Sequence, residues 1–298
     1  MEEKSYKVIL FYKFVELENP KQLRDQQYKI CQELGLKGRT LISTEGVNGT
    51  FEGETENINK YIEIMKTDSR FSDVVFKISP GDGLAFPKLT IKVRKEVVTL
   101  DLLETENFDP KEIKAKYLEA EQLHDWIHKE KKEFYIVDMR NYYEAKVGKF
   151  AGSIIFESLK NFRELPKVIN EIDHLKDKTI VTVCTGGIRC DRGSGFLLKH
   201  GFKDVYQLHH GIVTYMEKYP NEDFLGKLYV FDSRVMMGFN LDSKDHQIIG
   251  KCEWCGETSE NYVNYNTPQG ERKHGICCQS CISKGVVSLS QQNYYSYR

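Results

Sequence analysis

Two groups of residues in this chain have the types and spacing for chemistry. The first lies in "IVTVCTGGIRCDRG", Ile180 to Gly193. An apolar, strand-like run ends in Cys184, then Thr185, Gly186, Gly187 and Ile188 lead to Arg189 and Cys190. Glycine lets the backbone curl closely. A curled loop turns N–H groups inward as an anion cradle, and a helix starting near Cys190 adds its positive end. Arg189 adds a full charge. A Cys184 thiolate is thereby favoured, and a lowered pKa makes it the better nucleophile near neutral pH. The amides of Thr185 to Cys190 would equally hold a persulfide or an oxyanion. A merely structural cysteine would not need two glycines and an arginine beside it. Cys190 either fills the first helical turn or serves as a resolving thiol for an oxidised Cys184. Phosphatases with this type of loop place five residues between Cys and Arg. Four stand here, so the tighter loop fits a sulfur-sized group better than a phosphoryl group.

The second group is "CEWCG" and "CCQSC", which set Cys252, Cys255, Cys278 and Cys281 in two C-x2-C pairs. Four thiolates at this spacing suit structural zinc and leave no open position for catalysis. Cys277 is an extra candidate ligand. Weaker signals accompany these two. His124 and His128 stand one helical turn apart, but the glutamate of a metalloprotease motif is absent and the helix is amphipathic, which reads as a solvated pair. His209 and His210 read as neighbours in a strand, facing opposite sides. Lys88, Lys92 and Arg94 line one face of an extended segment, the residue types that contact a nucleic-acid backbone. Glu45 and Asn48 fall in a turn.

Elements must position these groups. The first hundred residues read β-α-β-β-α-β, which suggests a ferredoxin-like sheet with two helices on one face. Asn19 caps a helix begun by Pro20. That helix is apolar along one face except at Gln27. "RTLIST" reads as a strand, "EGVNG" as a turn and "TFEG" as the hairpin partner. "KLTIKVRKEVVTL" adds one more extended segment. Residues 101–117 are polar and read as a linker. From 118 to 225, short apolar strands alternate with helices, implying a doubly wound parallel sheet covered on both faces. Ligands in such folds bind beyond the carboxyl ends of the strands, where Cys184 sits. Residues 226–298 form a cysteine-rich segment ending in a tail, "LSQQNYYSYR", expected to be mobile.

The 298 residues suffice for two or three domains, and a net charge of -1 excludes a global basic field. The opening residues are acidic, with too short an apolar run for a signal peptide, and no stretch approaches a membrane span. Eight unevenly placed cysteines suit a cytoplasmic protein with reactive or metal-bound thiols. No G-x-G-x-x-G is present, so there is no flavin or nicotinamide fingerprint.

"CTGGIR" after an apolar strand resembles the active loop of rhodanese domains, whose cysteine carries a persulfide. "VDMRNYYEAKVGKFAGSI" resembles the upstream motif of that family, with Asp138, Arg140 and Glu144 at matching positions. Lys149 replaces its usual histidine and Ser153 its final alanine. "LHHGI" resembles its L-x-G-G-I, with His210 in place of a glycine. Together, "LGLKGRTLISTEGVNGTFEG", "KLTIKVRKEVVTL", "VCTGGIRC" and "LYVFDSRV" resemble the rhodanese-like tRNA uridine hydroxylases along nearly the whole chain.

The resemblance implies oxygen-dependent formation of 5-hydroxyuridine at the tRNA wobble position. Molecular oxygen is then the co-substrate, the tRNA anticodon region the partner, and Cys184 the catalytic residue. Arg189 stabilises its anion, and Lys88, Lys92, Arg94 and Arg140 are candidates to bind substrate. It also implies a cysteine-richer C-terminal segment, with Tyr265 where another cysteine is expected. The same loop would serve a sulfurtransferase passing persulfide sulfur to an acceptor, or a binding module holding an anion or RNA.

Overall fold

Alternating apolar residues in "YKVILFYKF" form β1 (Tyr6–Phe14). The Asn19 side chain then accepts a hydrogen bond from the Gln22 N–H at 3.1 Å and opens α1 (Pro20–Glu33). This computed structural model describes residues 5–103, 106–130, 132–267 and 269–289, so all of the C-terminal tail after Leu289 lies outside the described residues. The chain divides into two compact units, Met1–Lys114 and Ala115–Arg298.

In the first unit α1 leads to β2 (Lys37–Ser43), β3 (Gly46–Glu54), α2 (Thr55–Thr67), β4 (Lys77–Gly81) and β5 (Leu89–Val93). The strand order is β4-β1-β3-β2-β5, the first four antiparallel and β5 parallel to β2. Both helices cover one face, because Leu23 and Cys31 of α1 and Ile58, Tyr61 and Met65 of α2 share one core with Ile9, Phe11 and Phe51. Gln27, the polar residue on the apolar face, is buried and accepts a hydrogen bond from Tyr61 Oη at 2.8 Å. Its polarity is therefore satisfied inside the core.

Two expectations are corrected here. "EGVNG" is not a turn. Ser43 pairs with Gly46, leaving only Thr44 and Glu45 between the strands, and Val47 to Gly49 belong to β3. The reason is β1, which pairs with β3 along its full length from Tyr6↔Glu54 to Phe14↔Gly46. The extended segment from Lys88 also stops early, at Val93. Beyond it, Glu45 Oε1 accepts from the Val97 N–H at 2.8 Å and Asn48 Nδ2 donates to the Val97 carbonyl at 2.9 Å. These two side chains replace the ladder bonds that a longer strand would make.

The second unit opens with β6 (Lys116–Leu118), α3 (Ala120–His128), β7 (Tyr135–Asp138), α4 (Tyr142–Ala145), β8 (Gly148–Phe150) and β9 (Ile154–Ile155). It continues through α5 (Leu165–Val168), flanked by 3-10 turns, then β10 (Thr179–Val183), α6 (Ile188–Lys199), β11 (Asp204–Leu208) and α7 (Gly211–Lys218). The central sheet is wholly parallel, in the order β6-β11-β10-β7-β9. The chain passes from β7 outward to β9 and then returns to β10, so its direction reverses between β7 and β10. Crevices of α/β sheets form at such switch points, beyond the carboxyl ends. Cys184 follows β10 there and Arg140 follows β7.

The C-terminal part holds β12 (Phe224–Gly226), β13 (Leu228–Tyr229), β14 (Met236–Met237), β15 (Tyr262–Asn266), β16 (Arg272–Ile276), α8 (Gln279–Ser283) and β17 (Ser288–Leu289). β12 pairs with β8, and Val147, Tyr229, Tyr262 and Ile276 share a core. No helix among the described residues is long and apolar enough to cross a membrane.

Candidate active site

β10 is fully buried from Ile180 to Val183 and delivers Cys184 to the floor of the loop at 0% exposure. Gly187 has φ 103° and caps α6, a backbone setting that favours glycine. Its N–H donates to Cys184 Sγ at 3.2 Å. Burial alone would raise the pKa of Cys184. The Cys190 thiol hydrogen bond, the Arg189 charge and the amides of Cys190 and Gly187 outweigh that and bring it down to about 6. The Cys190 thiol, buried and donating to that anion, is pushed well up. Of the loop groups expected to cradle an anion, Gly187 contacts the sulfur, joined by the amide and thiol of Cys190. Cys190 thus acts as a donor, a role beside the two that its position suggested.

Arg189 is not a free charge. Its Nη1 and Nη2 donate to the two carboxylate oxygens of Glu144 at 2.5 and 2.8 Å, and Nη2 reaches Thr185 Oγ1 at 3.2 Å. Glu144 is fully buried, and its Oε1 also accepts the Asn141 N–H at 3.0 Å at the start of α4. Bidentate pairing fixes the guanidinium in place. Arg189 therefore acts on Cys184 by its field, from a position that Glu144 determines.

The loop is braced from the other side by α7. The Ile212 N–H donates to the Cys184 carbonyl at 2.9 Å and the Val213 N–H to the Thr185 carbonyl at 3.1 Å. Those are first-turn amides that have no partner inside their own helix. Gly211, at φ 78°, lies so close that a Cβ there would stand 2.7 Å from the Cys184 carbonyl oxygen and from the Gly187 nitrogen. His210 is left-handed at φ 63° and caps α7, which explains why the related motif has glycine at that position. His209 and His210 are therefore not strand neighbours. β11 ends at Leu208, their rings stack with centroids 3.6 Å apart, and His209 Nδ1 bonds Glu119 at 2.6 Å.

Arg140, a candidate substrate contact, is 0% exposed. Its Nε and Nη2 donate to Asp138 at 2.9 and 2.6 Å, and Nη2 also reaches the Gly148 carbonyl at 2.7 Å. This side chain is a strut joining β7 to β8 and presents no surface to a substrate. In the first unit, Lys88, Lys92 and Arg94 are exposed along edge strand β5 and its flanks.

The cysteine pairs converge. The ligand atoms of Cys252, Cys255, Cys278 and Cys281 all lie within 4.8 Å of one another, with Sγ–Sγ separations of 3.4 Å for Cys255–Cys278 and 3.9 Å for Cys252–Cys281. Tetrahedral zinc at the usual Zn–S length of ~2.3 Å would space its sulfurs ~3.8 Å apart, so the set fits the ion. Cys277 is outside it, its Sγ directed to the Cys278 carbonyl. Tyr265 fills the small core behind the cysteines and donates to Glu253 at 2.7 Å. A further cysteine at that position would lie in this packing.

Three family models match in order: the UPF0176 acylphosphatase like domain over residues 6–97, the rhodanese-like domain over 119–218 and the rhodanase C-terminal region over 225–292. The tRNA uridine(34) hydroxylase of Bacillus licheniformis is 44% identical over 92% of this chain and 84% of its own length. That of Cytophaga hutchinsonii is 40% identical over 97% and 90%. The chain belongs to the tRNA uridine(34) hydroxylase family.

In this hydroxylase-family chain the loop, its cysteine and its arginine were legible in sequence. Glu144 and Gly211 stood in the motifs that carry the resemblance, but their roles as the partner of the arginine and the brace under the loop were not legible there. Glu144 had a signal, the N-x-x-E spacing of Asn141 and Glu144 that marks a helix start. Gly211 had one as well, a glycine directly after an apolar strand and two histidines.

Proposed function

We propose that this member of the family hydroxylates the wobble uridine of tRNA to 5-hydroxyuridine, with the sulfur of Cys184 as the reacting group. The observation that carries this is the donor set around Cys184, which keeps a buried thiol ionised near neutral pH. A thiolate is the nucleophilic form. Carbon 6 of uracil is the electrophilic end of its conjugated carbonyl system. A bond from Cys184 Sγ to that carbon places the electron pair on carbon 5, the position to be hydroxylated.

Oxygen then bonds to carbon 5 as a hydroperoxide. An external thiol reductant supplies two electrons and two protons, the O–O bond breaks, and water leaves. Loss of the carbon 5 proton and of the Cys184 thiolate restores the double bond. The sum is uridine, oxygen, two electrons and two protons giving 5-hydroxyuridine and water. The uridine must leave its stack to reach the loop, at a cost of a few kcal/mol that an anticodon loop keeps small. Cys184 has no exposure, so the base meets it through a local opening of the loop's surroundings or through a sulfur carried on it, ~2 Å further out.

In the same reading Arg189 stabilises the anion, Cys190 donates to it, Lys88, Lys92 and Arg94 meet the RNA backbone, and Cys252, Cys255, Cys278 and Cys281 hold a structural zinc. The enzyme works where tRNA is, in the cytoplasm. The test is Cys184→Ser, with tRNA nucleosides read by mass spectrometry in cells lacking the native gene. 5-Hydroxyuridine should disappear while circular dichroism is unchanged, and retained product would overturn the assignment. An anticodon stem-loop carrying 5-fluorouridine should form a covalent adduct on the Cys184 peptide. A one-sulfur mass increase on that peptide without any adduct would replace carbon 6 attack by persulfide chemistry.

A further inference from the structure

Away from Cys184, a second group of metal-ligating side chains converges in the second unit. His124 and His128 lie one turn apart on α3, and His128 is its last residue. α7 ends at Lys218, and Asn221 then turns the chain in the left-handed region at φ 62°. Asn221 is pinned there by its Nδ2 donating to the Asn240 carbonyl at 2.7 Å. This turn brings Glu222 and Asp223 back onto the two histidines. His124 Nε2 is 2.8 Å from Glu222 Oε2, His128 Nε2 is 2.9 Å from Asp223 Oδ1, and one ligand atom from each of the four residues lies within 4.8 Å of every other. His128 keeps the exposure that the helix pattern suggested and His124 is half-buried, but each ring also has a carboxylate partner.

We propose that His124, His128, Glu222 and Asp223 form a binding site for a first-row divalent cation of the zinc class, clamping α3 to the turn after α7. The donor set is right: two imidazoles and two carboxylates suit a borderline divalent ion. The electrostatics agree. Two carboxylates stand close together, and both α3 and α7 end beside the group, each adding the partial negative charge of a helix C-terminus. A divalent cation would complement that arrangement.

The ligands are also held in place. The His124 ring stacks on Tyr219 with centroids 4.0 Å apart and planes 10° off parallel. Tyr215 Oη donates to Asp223 Oδ2, and the Asp223 carbonyl accepts the Ala151 N–H at 2.9 Å. Outer-shell bonds of this kind orient ligands in metal sites. The cluster lies at the far end of α7 from Cys184, about 12 Å along eight residues of helix. Its role is to tie two helices together, apart from the reacting sulfur.

The test is cobalt(II) binding to the full chain after chelator stripping under reducing conditions. Two equivalents are expected. One brings the intense sulfur-to-metal charge-transfer absorption of the cysteine set, and the other adds only weak visible bands. His124→Ala should remove the second equivalent and spare the charge-transfer absorption. Cys281→Ser should do the reverse. Glu222→Gln, at a half-exposed position that leaves folding intact, should weaken the second equivalent at least ~10-fold, the lower end of what even an outer-shell loss costs. Absence of any equivalent beyond the one with charge-transfer absorption, or a weak-band equivalent indifferent to both His124→Ala and Glu222→Gln, would overturn the site.

Discussion

At the scale of single residues, the ionisation of Cys184 is set by three neighbours of different kinds. Gly187 gives an amide, Cys190 gives a thiol hydrogen and Arg189 gives a field. The pH consequence has a definite sign. The thiolate forms as pH rises through about 6, well below the ordinary thiol value of 9.0, so activity that needs the anion falls only as pH drops through about 6. The thiolate absorbance of the wild type minus that of Cys184→Ser should show this midpoint. Cys190→Ala removes the donor and should move the midpoint upward, whereas Cys190→Ser supplies a hydroxyl donor and should largely keep it. An unmoved midpoint in Cys190→Ala would show that the thiol is only packing. Glu144→Gln leaves the Arg189 guanidinium buried without its counter-charge. Breaking such a pair costs about 3–5 kcal/mol, which chemical denaturation would register as a marked fall in the midpoint.

Among the elements, α7 has the most consequence for the loop. Its first amides hold the Cys184 and Thr185 carbonyls, and this close approach requires that residue 211 have no side chain. Gly211→Ala adds a methyl into backbone at 2.7 Å and forces a left-handed alanine. We expect a loss of about 2 kcal/mol or more, read by urea denaturation, and an upward shift of the Cys184 midpoint as the loop moves. If Cys252, Cys255, Cys278 and Cys281 hold zinc as proposed, the cysteine-rich segment depends on that ion for its fold. Its core beyond the cysteines is little more than Tyr265 and Val287, with Val263 and Ile282 against it. Chelation should therefore expose that segment to proteolysis while β6 to β11 stay folded, a difference that limited digestion would show.

For the whole molecule, a chain of net charge -1 must meet RNA through local patches. The exposed Lys88, Lys92 and Arg94 along β5 and its flanks form the proposed one. If Lys92 and Arg94 each neutralise a phosphate, removing either should weaken tRNA binding across sequences and reduce the slope of log K against log salt by ~0.7–0.9. Lys29→Ala, on the exposed side of α1, should leave the slope unchanged. Equal slopes for all three variants would remove β5 from the RNA interface.

The sequence by itself determined whatever rests on local chemistry. Asn19 with Pro20 starts a helix in any context, apolar runs separated by helices call for a parallel sheet, and Cys-Thr-Gly-Gly-Ile-Arg can only be a tight loop between strand and helix. Two C-x2-C pairs likewise raise the expectation of sulfur coordination before any fold is known. Tertiary structure decided what depends on residues far apart in the chain. It set Glu144 against Arg189, pressed Gly211 under the Cys184 loop, withdrew Arg140 into an ion pair with Asp138, and drew Val47 to Gly49 into β3 because β1 lay alongside. It also turned His124 and His128 from a polar helix face into half of a four-ligand cluster, since Glu222 and Asp223 reach them only through the turn that α7 makes at its end. Side-chain spacing along one element is fixed by helix or strand geometry. Which partner faces it is fixed by packing, and that is where charge, accessibility and coordination are settled.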